Sequence, residues 1–263
     1  LMVLTVVVVT TLASDVGSVD SLEVGSDARV TGILQSAGIL FFAFAGYARI
    51  ATLGEEVREP TRIIPRAILV ALGIALVVYA TVAATALWAL GASGLATATA
   101  PLAAMTQAAG AGWLTPVVRI GAAVAALGSL LALILGVSRT TLAMSRDGHL
   151  PRTLAKVHPR FGVPHHAELA VGAVVAVVAA TADVRGAIGF SSFGVLLYYA
   201  IANASAMTLS RLERRPPLIV CVVGLVGCVV LACTLPRASV ISGVVVIVIG
   251  IAIYACRIVL ARR

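Results

Sequence analysis

Residues 41–66 read FFAFAGYARIATLGEEVREPTRIIPR. Gly46 lies in an alanine-rich apolar run, among Phe41, Phe42, Phe44 and Tyr47; Arg49 and the adjacent acids Glu55 and Glu56 follow it. Two kinds of chemistry fit. Gly38, Gly46 and Gly54 recur at a spacing of eight, interleaved with Ala37, Ala43, Ala45, Ala48 and Ala51. Small residues so placed let two helix backbones approach closely. The same glycines suit a broken helix, whose freed amides and carbonyls line a cavity and bind the charged ends of a substrate. Spacing alone leaves both readings open. An arginine inside an apolar span is costly, so Arg49 is expected to face a partner or a water-filled cavity. Its plainest role is to pair with a carboxylate or helix carbonyl. Its sharper role is in a gate with Glu55 or Glu56, which otherwise tether the helix end to nearby arginines.

The elements that position these residues must lie in lipid. Of 263 residues, 60% are hydrophobic and 11% charged, with a mean hydropathy of +1.09. Soluble domains carry roughly 25% charged residues. A fold in water cannot hide this much apolar surface, which predicts an all-α membrane protein. Eight apolar stretches can be read. Residues 1–13 are too short to span and are expected to be the end of a truncated helix, followed by an extracellular loop over 14–31. Seven complete spans are expected within a membrane domain covering 32–263: 32–53, 65–90, 115–144, 167–182, 186–209, 218–235 and 240–260. Pro65 is expected in the first turn of its span, and Pro216, Pro217 and Pro236 punctuate the last two. The uncharged stretch 91–112 suits a re-entrant or surface segment.

Arginine distribution orients the chain. Loops on one side hold Arg58, Arg62 and Arg66, then five basic residues between Arg139 and Arg160, then Arg211, Arg214 and Arg215, then Arg257, Arg262 and Arg263. Loops on the other hold only Arg29, Arg119, Arg185 and Arg237. The positive-inside rule places the richer side, and the C-terminus, in the cytoplasm. The net charge of +8 follows this topology and does not gather beside exposed aromatics, so no nucleic-acid partner is expected.

Cys221, Cys228, Cys233 and Cys256 all lie in apolar runs without a CxxC pair and read as small core residues. His149, His158, His165 and His166 share one polar loop, with no ligand spacing to the cysteines, so no metal or cofactor is expected. Asn203, Ser191, Ser192 and Arg49 are the notable polar residues at membrane depth. They form no nucleophile–base pair, which argues against an enzyme.

Three blocks carry a family resemblance. Phe42, Phe44, Gly46 and Tyr47, followed by Glu55, Glu56, Pro60 and Pro65, run as F-x-F-x-G-Y then E-E-V-x-x-P-x-x-x-x-P. They resemble the sixth transmembrane helix and following loop of the amino acid–polyamine–organocation superfamily. Arg146, Asp147, Gly148, Leu150, Pro151, Gly162 and Pro164, within SRTTLAMSRDGHLPRTLAKVHPRFGVPHHA, resemble the loop between its helices eight and nine. YYAIANASAMTLSRLERR resembles its tenth helix and basic exit. The resemblance covers residues 30–263.

It implies the second inverted repeat plus two further helices of a twelve-helix transporter, with the end of helix five at the start. In that family helices one and six unwind around the substrate. Carried over, Phe42, Ala43, Phe44, Ala45 and Gly46 would form the unwound part, with amides toward a substrate carboxylate or carbonyls toward its ammonium. Phe42 would be the aromatic lid, and Phe44 and Tyr47 would pack behind it. Tyr47, Arg49, Glu55 and Glu56 would be gating candidates. The implied substrate is an amino acid or related amine, moved by proton symport or exchange across a bacterial plasma membrane. Some members carry an acid where Ala48 stands, or a proton-linked lysine in helix five, which residues 1–13 lack. The missing N-terminal helices would supply the other half of the site. A non-transporting membrane scaffold, or the product of a degenerate gene, is the competing expectation.

Overall fold

The computed structural model describes residues 1–14, 16–17, 29–44, 46, 57, 59–210 and 216–261. Nine α-helices occur among them: α1 (Met2–Leu12), α2 (Val30–Leu40), α3 (Pro60–Thr97), α4 (Pro101–Ala108), α5 (Thr115–Arg146), α6 (His165–Thr181), α7 (Val184–Thr208), α8 (Leu218–Thr234) and α9 (Arg237–Ala261). Short 3₁₀ turns occupy Phe41–Phe44, Gly112–Leu114 and Arg152–Ala155. The described residues contain no strand.

Helix ends follow local chemistry. Asp183 caps α7, accepting the Gly186 N–H on Oδ2 at 3.1 Å, so the helix starts two residues before the expected Gly186. Pro217 caps α8, and the Pro236 carbonyl accepts from the Ser239 and Val240 amides at the head of α9. Pro65 departs from expectation. Pro60 takes the first position of α3, with the Glu59 carbonyl accepting from the Arg62 and Ile63 amides, and Pro65 falls inside the helix. Residues 91–112 also differ. α3 continues to Thr97 across a kink at Gly91 (φ 64°, ψ 172°), and α4 follows with Ala103, Met105 and Thr106 buried. The kink sits one residue beyond the expected end of the span at 90.

Four helices are long and apolar enough to cross a bilayer: Pro60–Thr97, Gly112–Arg146, Val184–Thr208 and Arg237–Cys256. Val30–Phe44, His165–Thr181 and Leu218–Thr234 are apolar but shorter. At 17 residues, α6 and α8 rise about 25 Å at 1.5 Å per residue, a little under the ~30 Å of hydrocarbon. The most apolar windows of the first two long helices bury none of their residues, as helix surfaces solvated by acyl chains would.

The chain divides into two units. The first comprises Leu1–Val24 and Leu76–Thr181. Its core joins Val7, Ala86, Met105 and Val118, with Val3, Leu90, Leu95 and Leu102 packed around them. Between α5 and α6 the chain is pinned closely. The buried Ser145 hydroxyl donates to the Pro151 carbonyl at 2.6 Å, and the Arg152–Ala155 turn packs on both helices. Beyond it, the His158 N–H donates to the Val163 carbonyl at 2.8 Å and the Gly162 N–H returns to the His158 carbonyl at 2.9 Å.

The second unit comprises Gly25–Ala75 and Ala182–Arg263. α7 is its centre, packed on α2, α8 and α9. Phe193, Leu196, Ala200, Cys228 and Leu235 form the core. Lipid tails are as apolar as leucine, so close packing rather than escape from water must hold such helices together. Glycines supply the closeness. Gly189 meets Ser239, Gly243 meets the Phe193 ring, and a Cβ on Gly224 would sit 2.6 Å from Asn203 Oδ1. Asn203 satisfies itself locally, its side-chain amide donating to the Tyr199 carbonyl at 2.8 Å.

Candidate functional site

α2 runs regularly from Val30 to Leu40 and then stops. The next four residues, Phe41–Phe44, tighten into a 3₁₀ turn. Gly46 has φ +111°, a conformation closed to ordinary helix and strained for any residue with a Cβ. The departure from regular helix begins at Phe41, one residue before the expected start. Where an apolar helix ends, its last carbonyls lack intrahelical partners that hydrocarbon cannot supply, so partners must be close. One is present: the fully buried Ser192 hydroxyl on α7 points to the Ile39 carbonyl at 3.4 Å.

The two glycines of the repeat, which spacing could not tell apart, do different work. A Cβ on Gly38 would lie 3.1 Å from Leu235 Cδ2 and 3.2 Å from the Leu231 carbonyl oxygen. Gly38 is there to let α8 approach. A Cβ on Gly46 would meet nothing within 4 Å. Gly46 is there for its backbone conformation. Gly54 lies outside the described residues.

Aromatic residues divide likewise. Phe41 turns inward and meets Tyr199 edge-on at 5.7 Å between ring centroids, a geometry aromatic quadrupoles favour. Tyr199 in turn lies 5.2 Å from Tyr198. Phe42 is 40% exposed, Ala43 and Gly46 are exposed, and Phe44 is half-buried. Phe42, Ala43, Phe44 and Gly46, four of the five expected site residues, thus lie just past the end of α2. Ala45, Tyr47, Arg49, Glu55 and Glu56 lie outside the described residues. Sequence reasoning missed the supports: Phe41, Tyr199, and the Ser192 contact. A serine within an apolar span was the available signal for the last.

The exposed side of α2 borders an open groove of about 660 Å³, lined by Arg29, Thr31, Gly32, Ile33, Ser36, Ala37 and Leu40. At 3.6 residues per turn Ile33, Ser36 and Leu40 fall on the side of the helix away from Gly38, which faces α8. The groove therefore runs along α2 as far as Leu40, its last residue. The segment past α2 thus combines backbone turned out of regular helix with an exposed aromatic side chain, Phe42.

Comparison with known proteins shows the family. The family model for amino acid permeases matches residues 1–261. An uncharacterized transporter of Mycobacterium tuberculosis is 65% identical over 263 residues, which is 100% of this chain and 60% of the relative. The chain thus spans about three-fifths of the length of that relative. Cationic amino acid transporter 4 of Homo sapiens is 32% identical over 187 residues, 71% of this chain and 29% of its own. A branched-chain amino acid permease of Bacillus subtilis is 26% identical over 186 residues, 71% of this chain and 40% of its own. Apolar helices long enough to cross a bilayer and a family match over nearly its full length identify this chain as a member of the amino acid permease family.

Proposed function

We propose that the complete protein transports amino acids or related amines by alternating access around the interruption at residues 41–46. The observation that carries this is Gly46: a glycine at φ +111° with nothing near its Cβ position, beside an outward-facing Phe42. A packing glycine would have neighbours. In this reading the amides beyond Leu40 bind the substrate carboxylate, and the carbonyls of the same turn bind its ammonium, aided by the partial charge of the helix end. Phe42 closes over the bound substrate, with Ala43, Phe44 and Ala45 completing the turn. Tyr47, Arg49, Glu55 and Glu56 form the inner gate. Coupling is by proton symport or exchange. Residues 1–13 end a helix, 14–31 form an extracellular loop, and 32–263 form the seven-span domain, in a bacterial plasma membrane with the C-terminus cytoplasmic. The other half of the site comes from N-terminal helices, so residues 1–263 by themselves bind substrate weakly.

Uptake of radiolabelled amino acids by vesicles carrying the full reading frame tests the proposal. Saturable uptake, inhibited by unlabelled cationic or branched-chain amino acids, is expected. Dependence on an imposed proton gradient selects symport, and dependence on internal amino acid selects exchange. A correctly inserted full-length protein that moves none of them would favour the scaffold reading.

A further inference from the structure

The loop joining α5 to α6 presents a cationic surface with an aromatic ring at its tip. Arg146, Arg152, Lys156 and Arg160 are all exposed, with Asp147 the acid among them. Phe161 is 67% exposed, yet it is firmly held. The His158 ring lies 4.8 Å from its centroid, and the Arg160 guanidinium carbon sits 5.6 Å over its face. His158 Nδ1 accepts from the Arg160 and Phe161 amides at 3.2 and 3.4 Å. The Gly162 N–H closes the turn on the His158 carbonyl at 2.9 Å.

Arginines in such a loop serve as a topology signal. A topology signal needs neither an ordered turn nor an exposed ring. An exposed apolar ring set among cations is the chemistry of an interfacial anchor, with the ring at the headgroup–acyl boundary and the cations on phosphates. α5 and α6 are both apolar, so the loop leaves and re-enters the chain's membrane-embedded part at a bilayer face. We propose that the 146–164 loop docks on anionic phospholipid headgroups, with Phe161 seated at the interface and Arg152, Lys156 and Arg160 on the phosphates. A lipid surface is favoured over a free phosphate because a soluble anion would gain nothing from the phenyl ring. It is favoured over an acidic protein because the bilayer is already alongside.

The test is independent of transport. Hydrogen exchange is measured on the protein in nanodiscs of phosphatidylcholine alone, or of phosphatidylcholine with phosphatidylglycerol. Residues 156–163 are expected to exchange several-fold more slowly with phosphatidylglycerol present. Replacing Arg152, Lys156 or Arg160 by Gln should weaken the lipid effect roughly fivefold per charge, and Phe161→Ser should remove most of it while Phe161→Trp keeps it. Unchanged exchange along α5 in the same samples shows that each variant is folded. Should a variant unfold, wild-type protein in high salt gives the same comparison, because screening removes the attraction. Equal exchange in both nanodiscs overturns the proposal. So does protection reproduced by inorganic phosphate or by polyglutamate in neutral nanodiscs, or a phosphatidylglycerol effect that Phe161→Ser leaves intact.

Discussion

Replacing Gly46 by alanine separates a conformational glycine from a packing one. At φ +111° a Cβ is strained against its own backbone, which costs on the order of 1–3 kcal/mol. No neighbour lies within 4 Å of the added atom, so no repacking term is added. If the penalty falls wholly on the interrupted conformer, its ratio to competing conformers drops roughly 5- to 150-fold. Uptake per inserted molecule should fall by up to that factor, and Gly46→Leu should fall at least as far. Gly38→Ala is the control. Its Cβ would press on Leu235 Cδ2 at 3.1 Å and on the Leu231 carbonyl at 3.2 Å, an overpacking cost of about 1–3 kcal/mol. That cost falls on the α2–α8 contact, so Gly38→Ala should lower thermal stability while uptake per folded molecule stays near wild type. The assay is radiolabelled uptake normalised to inserted protein, with a melting curve for each variant. Wild-type uptake by Gly46→Ala, or the same stability-only loss from both substitutions, would refute the assignment of Gly46 to the break.

Other perturbations probe the supports. In a double-mutant cycle, Phe41→Leu and Tyr199→Leu should couple by about 0.5–1.5 kcal/mol in stability; strict additivity would mean that the edge-on contact carries nothing. Ser192→Ala should cost roughly 0.5–1.5 kcal/mol and speed hydrogen exchange at residues 41–44, whereas a change confined to α7 would show that the Ile39 carbonyl does not depend on the hydroxyl. Gly243→Val drives a side chain into the Phe193 ring and should destabilise by about 1–3 kcal/mol or more; an unchanged melting curve would place α9 elsewhere. Single cysteines at Thr61 and His158, in protein freed of its native thiols, should be labelled from the same side of the membrane, and opposite accessibility would overturn the arginine-based topology.

Helices were legible where hydropathy ends at charges and prolines. The run read as 115–144 is α5, Thr115–Arg146, and the run read as 218–235 is α8, Leu218–Thr234. Residues 91–112 were not legible, because alanine, glycine and threonine without charges give neither a polar loop nor an apolar period. Their order comes from tertiary packing, with Met105 buried against Val7, Ala86 and Val118. Pro65 misled because a proline fits a first turn well, and nothing local told that Pro60 already occupied that place. At the site, glycine among small residues announced that something mattered at Gly38 and Gly46. Which glycine admits a neighbouring helix and which admits a backbone angle depends on α8, 180 residues and more along the chain, and no spacing encodes that.

The turn closed by the His158 and Gly162 hydrogen bonds has a consequence for proteolysis. It holds the Arg160–Phe161 bond, a tryptic site on exposed side chains. A protease takes its substrate as an extended strand, so cleavage requires the hydrogen bonds from the His158 N–H to the Val163 carbonyl and from the Gly162 N–H to the His158 carbonyl to open first. Where opening and closing outrun cleavage, the cutting rate reads the fraction of time the turn is undone. Trypsin then becomes a gauge of local order in the loop, and Gly162→Ala, strained at φ +66°, should hasten the cut without adding or removing a single basic residue.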